Sequence, residues 1–218
     1  MSELNQLLLN FNQKQNFNYN DYYVSKSNYF AFKLIDSWPK WQKNILNIYG
    51  EKGSGKSHLI GIFESKHKSK KFFAKNFDDE ILTNLKIHQN IICEDLNEIK
   101  NEKLLYSLFN LISQDNKYLI ITSEMPLITM SFELNDLKSR VKNCLFAEIE
   151  KPDDELIFAL ILKYFSDKQI NIEKKLIDYI VKRVERSYRK ISEFIYKVDE
   201  ISLKKKKPID LKTIKEIL

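Results

Sequence analysis

The sequence predicts an α/β fold, in which a parallel sheet of about five strands lies between helices and is followed by a purely helical segment. The first observation is a glycine-rich turn, Gly50–Ser57, between a run with strand character and a run with helix character. The second is that apolar runs and amphipathic helices alternate as far as residue 150. The third is that every segment after Lys151-Pro152 has helical spacing. We therefore expect an N-terminal segment at residues 1–20, an α/β domain at 21–151 and a helical domain at 152–218.

The glycine-rich turn carries a phosphate-binding pattern. It reads GEKGSGKS and fits G-x-x-x-x-G-K-[ST], the P-loop. Three of the four glycines in the chain lie in it, which indicates a backbone requirement. Backbone N–H groups would surround phosphates, Lys56 would reach the β- and γ-phosphates, and the Ser57 hydroxyl would hold Mg²⁺. A chance match is the alternative, but the motif is complete, a strand precedes it and a helix follows from His58.

A second motif lies further along the chain, where the apolar run Asn90–Cys93 is closed by Glu94 and Asp95. A buried parallel strand carries such acids to its carboxyl end, where ligands bind in folds of this class. Glu94 would orient Mg²⁺ or its waters, and Asp95 would orient an attacking water. This is the Walker B pattern with Glu where Asp is usual, so we expect weak hydrolysis at most; an acidic strand end without function is the alternative. The next strand ends in Ser123 and Glu124, which would either sense the γ-phosphate or only cap the strand.

Two arginines each allow two interpretations that sequence spacing alone leaves open. Arg140 lies between a helix and a strand, so it is either a finger that reaches a neighbour's phosphates or a surface residue paired locally. Arg189 stands near the start of a helix, where the helix dipole opposes a positive charge. The compensating anion is either a nucleotide phosphate or a neighbouring glutamate, Glu185 or Glu193.

Composition excludes several classes of protein. The formal net charge of +6 permits contact with nucleic acid without demonstrating it, and the basic run Lys66–Lys71 is interpreted as a surface connection. Two cysteines are too few for a disulfide framework, and the three histidines lack metal-ligand spacing. No apolar run is long enough to cross a bilayer, and the N-terminus lacks the features of a signal peptide. We expect no membrane contact and a cytoplasmic location.

The N-terminal segment contains the short run Gln6-Leu7-Leu8-Leu9-Asn10-Phe11 within a stretch rich in Asn and Gln. A segment with spaced leucines and a terminal Phe can dock in extended form into an apolar groove. The local pattern alone favours the alternative, in which these residues fold back on their own domain.

The order of these motifs resembles that of the AAA+ ATPases: P-loop, Walker B pair, polar strand end, exposed Ser139-Arg140, and a helical lid with an early arginine. The sequence is similar to the DnaA group of replication-initiation ATPases, in the stretches Leu105–Asn110, Ile120–Ser123 and Leu137–Arg140. Initiators of that group add a C-terminal helix-turn-helix domain, for which we expect no room before Leu218. The resemblance is therefore strongest to the Hda type of DnaA-related regulator, whose clamp-binding segment is close to Gln-Leu-x-Leu-x-Phe.

This resemblance implies a role for each matching residue. ADP or ATP, with Mg²⁺, would contact Gly50, Gly53, Ser54, Gly55, Lys56, Ser57, His58, Tyr22, Tyr23 and Arg189. Ser57 and Glu94 would hold the metal, and Asp95 would complete the Walker B pair. Arg140 would be the catalytic arginine finger, acting in trans. The clamp groove would receive Gln6, Leu7, Leu9 and Phe11.

The resemblance implies a regulator of chromosome replication initiation. It would bind the sliding clamp, which is the β subunit of DNA polymerase III, and stimulate hydrolysis of the ATP bound to a DnaA initiator, which prevents re-initiation. A finger in trans implies at least a transient head-to-tail contact, with the initiator or with a second copy of the chain. Two alternatives stay open: a stand-alone AAA+ ATPase such as a loader-like motor, and an adaptor that tethers DnaA to the clamp without a catalytic role.

Overall fold

The computed structural model describes residues 21–170, 172–205 and 211–218. Within these residues lie five strands: β1 Ile45–Gly50, β2 Lys70–Phe73, β3 Asn90–Glu94, β4 Tyr118–Ser123 and β5 Leu145–Ile149. The helices are α1 Tyr29–Asp36, α2 Lys56–Lys66, α3 Asp79–Leu85, α4 Glu102–Gln114, α5 Asn135–Val141, α6 Asp154–Asp167, α7 Lys174–Val181, α8 Tyr188–Lys205 and α9 Leu211–Ile217.

The strands form one sheet in the order β2-β3-β4-β1-β5, and every strand pair is parallel. Because side chains alternate between the faces of a sheet, consecutive residues enter different cores. Ile91 and Leu119 pack in the core on one face, whereas Ile92 and Ile120 pack in the core on the other. This sheet between two helical layers confirms the predicted α/β fold.

After β5 the described chain is entirely helical. A third apolar core, separate from the two on the sheet, joins α6, α7, α8 and α9 through residues such as Ile157, Phe165, Ile180 and Ile214. Asp153 caps α6, because its carboxylate accepts a hydrogen bond from the Leu156 N–H at 2.8 Å. The division into domains at residue 152 stays a prediction.

One element boundary differs from the sequence prediction: strand β2 begins at Lys70, inside the basic run Lys66–Lys71, for which we expect a surface connection. Helix α4 begins at Glu102, because Leu96–Glu98 forms a separate 3₁₀ turn and Asn101 caps the helix. Among the described helices, none has the length and apolar character needed to cross a membrane.

Candidate nucleotide-binding site

The P-loop joins the carboxyl end of β1 to the first turn of α2. Glycine is required at two of its positions for steric reasons. A Cβ at Gly50 would lie 2.6 Å from the Ile149 carbonyl oxygen. Gly55 has a φ of +95°, and a Cβ there would lie 3.3 Å from the Tyr22 ring. The sequence thus folds into a turn whose backbone is closely enclosed by β5 and by the segment before α1.

Lys56 and Ser54 are the buried polar side chains of this turn. The Lys56 ammonium donates to the Gly50 carbonyl at 2.6 Å and to the Glu51 carbonyl at 3.0 Å, which holds it inside the loop. Burial lowers the pKa of Lys56 from its ordinary value, although negative charge on Glu124, Asp95 and Glu51 opposes the shift. The Ser54 hydroxyl is buried without a hydrogen-bond partner. A phosphate oxygen would supply that partner, so the loop fits the group that its motif predicts.

Ser57 and Glu94, the two predicted metal-binding residues, lie together. The Ser57 hydroxyl donates to the Glu94 carboxylate at 2.7 Å. A hydroxyl and a carboxylate are oxygen donors of the kind that Mg²⁺ prefers, and phosphate oxygens and waters usually complete its shell. The described residues contain no group of three or more His, Cys, Asp or Glu that could hold a metal without such help. These two residues therefore fit Mg²⁺ bound together with a nucleotide.

The ends of β3 and β4 meet beside these residues. Asp95 is exposed, has a φ of +58° and donates its N–H to the Thr122 hydroxyl at 3.0 Å. The Ser123 hydroxyl is buried, donates to the Met125 carbonyl at 2.6 Å and accepts from the Asn47 amide at 2.9 Å. Ser123 is thus occupied by contacts within the protein, whereas Glu124 is exposed and its charge acts on Lys56. Of the two candidates at this strand end, Glu124 is the one whose charge reaches the P-loop.

A cavity of about 310 Å³ adjoins the P-loop, with α6 and α8 along its opposite side. Its lining includes predicted residues from the P-loop and the segment before α1: Gly53, Ser54, Gly55, His58, Tyr22 and Tyr23. Tyr22 is fixed by its neighbours, because its ring stacks on Phe32 at 6.0 Å and meets the His58 ring edge-on at 5.1 Å. Burial raises the pKa of Tyr22. The volume and the mixture of aromatic and polar groups suit a small molecule with an aromatic part.

The sequence analysis did not identify the residues that the helices contribute to this cavity. They are Leu156, Leu160, Lys163, Tyr164, Asp167, Tyr188, Ile191, Ser192 and Ile195. Their apolar members follow the same helical spacing as the core of α6 and α8. No signal in the sequence separates those that face the cavity from those that face the core.

Glu51, the second residue of the P-loop, contacts the start of α8. Its carboxylate accepts hydrogen bonds from the Ser187 hydroxyl, from the Tyr188 N–H at 3.2 Å and from the Arg189 N–H at 3.4 Å. Free N–H groups at a helix start favour an anion. The Glu51 carboxylate therefore stabilises the first turn of α8 and joins the P-loop to the helical segment.

The two predicted arginines lie outside the cavity lining. The Arg189 guanidinium is 77% exposed and lies 2.8 Å from the Glu193 carboxylate, so a neighbouring glutamate holds its side chain in this structure. The Arg140 guanidinium lies 5.2 Å from the centre of the Tyr106 ring, a cation–π contact between α5 and α4. The predicted clamp-binding residues, Gln6, Leu7, Leu9 and Phe11, lie outside the described residues.

Comparisons of the sequence with known proteins find one family model and several similar proteins. A family model described as "RNA helicase" matches residues 46–131. The chromosomal replication initiator protein DnaA of Borreliella afzelii is 24% identical over 211 residues, which cover 85% of this chain and 44% of that protein. The DnaA of Caldanaerobacter subterraneus subsp. tengcongensis is 26% identical over 97% of this chain and 53% of its own length. The chain thus spans about half the length of the curated relatives it matches.

Two solved structures share the fold. Domain III of the Thermotoga maritima replication initiation protein DnaA superposes with a TM-score of 0.74 at 20% identity, covering 94% of this chain and 96% of that one. A replication initiator DnaA bound to AMPPCP and single-stranded DNA superposes with a TM-score of 0.69 at 18% identity, covering 86% of this chain and 67% of that one.

Proposed function

We propose that this chain is an Hda-like regulator of replication initiation. Its similarity to DnaA sequences, and to the structure of DnaA domain III, supports an AAA+ domain related to that of DnaA. It would bind ADP or ATP at the P-loop and the sliding clamp through Gln6–Phe11. It would then present Arg140 to the ATP site of a DnaA initiator and stimulate hydrolysis there, which prevents re-initiation. The observation that carries the proposal is the position of Arg140, which stands away from the chain's own nucleotide cavity.

Nucleotide binding is supported by the P-loop and its cavity. Lys56 is held within the loop, and the unpartnered Ser54 hydroxyl offers a donor to a phosphate oxygen. Tyr22 and Leu156 line a space suited to a purine. A related DnaA was solved with AMPPCP, which supports an adenine nucleotide here. Mg²⁺ bound at Ser57 and Glu94 would neutralise phosphate charge; the chain's own part is to hold and orient the phosphates.

The finger role of Arg140 is supported by its setting on α5. Arg140 is half-buried, and its guanidinium packs against the Tyr106 ring, which holds the side chain in place. Among the described residues, no carboxylate forms an ion pair with it. A guanidinium held in this way loses little conformational entropy when it meets a phosphate. It would stabilise charge on the phosphoryl group transferred in the partner's site.

Clamp binding depends on the sequence pattern Gln6–Phe11 and on the resemblance to the Hda type. Contact with DNA is supported by the net charge of +6 and by the related DnaA solved with single-stranded DNA. A cytoplasmic location is the expectation that accompanies this role.

A stand-alone ATPase is the second candidate, and the site itself favours it in one respect. Ser57 and Glu94 already lie within hydrogen-bond distance, and Asp95 and Glu124 carry charge near Lys56. Such an enzyme would hydrolyse ATP steadily without DnaA, and Lys56→Ala would abolish the activity. A clamp-tethering adaptor without a catalytic role is the third candidate, in which Arg140 would be dispensable.

The test measures turnover of DnaA-bound ATP in the presence of clamp-loaded DNA. We expect Arg140→Ala to remove the stimulation. Arg183→Ala is the matched control, because Arg183 also stacks on a tyrosine, Tyr179 at 3.8 Å, but lies in the helical segment. If Arg140→Ala stimulates turnover as well as the parent does, the finger role is wrong.

The clamp contact is tested separately by a pull-down on the sliding clamp. We expect the full chain to bind, and a chain without residues 1–12 or with Phe11→Ala to bind clearly less. Equal retention of all three would show that the segment does not dock into the clamp.

A further inference from the structure

Both oxygens of the Glu94 carboxylate are engaged within the protein. One accepts the Ser57 hydroxyl at 2.7 Å, and the other lies 3.4 Å from the Lys71 ammonium. The Glu94 side chain is only 5% exposed, so its charge is screened little by water. A buried carboxylate needs a donor or a positive charge nearby, and Lys71 is the cation that supplies it.

The sheet brings Lys71 to this position. Strand β2 pairs in parallel with β3, and Lys71 is in register with Ile92. Ile92 packs in the core on the face that also contains the apolar residues of α2. Lys71 extends along the same face, where the Glu64 carboxylate of α2 binds its ammonium at 2.7 Å.

The Lys71 ammonium lies between two carboxylates, 2.7 Å from that of Glu64 and 3.4 Å from that of Glu94. A positive charge therefore lies beside the carboxylate that would otherwise face nucleotide phosphates in the P-loop.

We propose that Lys71 is a positioning residue which partly offsets the charge of Glu94 and so makes nucleotide binding at this P-loop less dependent on Mg²⁺. The inference rests on the nucleotide binding proposed above. Without a metal, an unpaired Glu94 would repel the nucleotide phosphates next to Ser57; the contact with Lys71 reduces that repulsion, although Lys71 also binds the more exposed carboxylate of Glu64. With a metal, Lys71 competes with Mg²⁺ for the same carboxylate, so the metal adds less affinity than it would to a free Glu94.

The experiment measures the affinity of the purified chain for ADP by isothermal titration calorimetry, in excess MgCl₂ and in EDTA. We expect the parent to lose less of its affinity for ADP in EDTA than Lys71→Met does. Lys71→Met should bind about tenfold more weakly in EDTA, a change that corresponds to about 1.4 kcal/mol, and should regain most of that loss in MgCl₂. Lys71→Arg should behave like the parent, because it restores the charge.

Lys70→Met is the matched control, since Lys70 precedes Lys71 on β2 and its side chain points to the opposite face of the strand. Lys71→Gln serves in place of the Met variant if that protein does not fold. The inference would be overturned if the ratio of ADP affinity in MgCl₂ to ADP affinity in EDTA were the same for Lys71→Met and for the parent. It would also be overturned if the parent bound ADP in MgCl₂ but not in EDTA. If the parent binds ADP in neither buffer, the proposed nucleotide site itself is wrong. This result differs from failure of the Lys71 inference alone, in which the parent still binds ADP.

Discussion

Glu51 of the P-loop contacts the start of α8, which lies far away in the sequence. We therefore predict that the Glu51 carboxylate stabilises the first turn of that helix. In Glu51→Ala, the Ser187 hydroxyl and the N–H groups of Tyr188 and Arg189 lose their acceptor. Loss of a capping side chain costs about 1 kcal/mol, and loss of an anion at a helix N-terminus costs a further ~0.3–1 kcal/mol. We therefore expect the first turn of α8 to be destabilised by roughly 1–2 kcal/mol.

Native-state hydrogen exchange measures this effect directly. A cost near 1.4 kcal/mol corresponds to about a tenfold loss of protection. That loss should be confined to the amides of Tyr188 and Arg189, while the β4 amides of Leu119 and Ile121 keep their protection. Glu185→Ala is the control, because it removes an exposed carboxylate close to the same helix start. Unchanged protection in Glu51→Ala, or an equal loss in Glu185→Ala, would refute the reasoning.

Two further predictions concern the P-loop and the helical segment. Lys56→Ala should abolish detectable ADP binding while the sheet stays folded. Among the described residues, the Lys56 ammonium is the one positive charge held inside the loop. Calorimetry with ADP checks the binding, and a circular-dichroism melt checks the fold. Burial alone would raise the pKa of Asp153, but hydrogen bonds from Leu156, Ser25 and Ser27 outweigh that effect and lower it. A carboxyl with a lowered pKa contributes stability at neutral pH that is lost as the pH falls through the folded-state pKa. Asp153→Asn should therefore flatten the loss of stability below about pH 4, measured by urea unfolding across pH; an unchanged acid slope would contradict this origin.

The fold and the proximity of Ser57 to Glu94 could both be predicted from the sequence, because both depend on short local patterns. The P-loop needs its glycines and Lys56 at fixed spacing, and the Walker B acid needs only to end a buried strand. Parallel strands present their carboxyl ends at one edge of the sheet, which is why Ser57 and Glu94 could be expected together before their 2.7 Å contact was seen.

The contacts that the sequence did not predict join residues whose approach depends on tertiary packing. Glu51 reaches Ser187 across 136 positions of sequence, and nothing local to either residue indicates the other. Lys71 lies in a run of basic residues that has the composition of a solvated connection, and only the pairing of β2 with β3 brings it to Glu94. The helix dipole at the start of α8 favours an anion near Arg189, and two carboxylates lie there: Glu51 accepts the backbone N–H, and Glu193 holds the side chain.

The proposal as a whole is tested most directly by the rate at which ATP bound to DnaA is hydrolysed when this chain is added together with clamp-loaded DNA. An arginine finger supplied in trans accelerates phosphoryl transfer by about 10³–10⁵-fold in systems where it has been measured. We expect the rate to rise strongly, and only when the chain, the clamp and DNA are all present. An unchanged rate of DnaA-bound ATP hydrolysis, together with steady ATP hydrolysis by this chain alone, would contradict it.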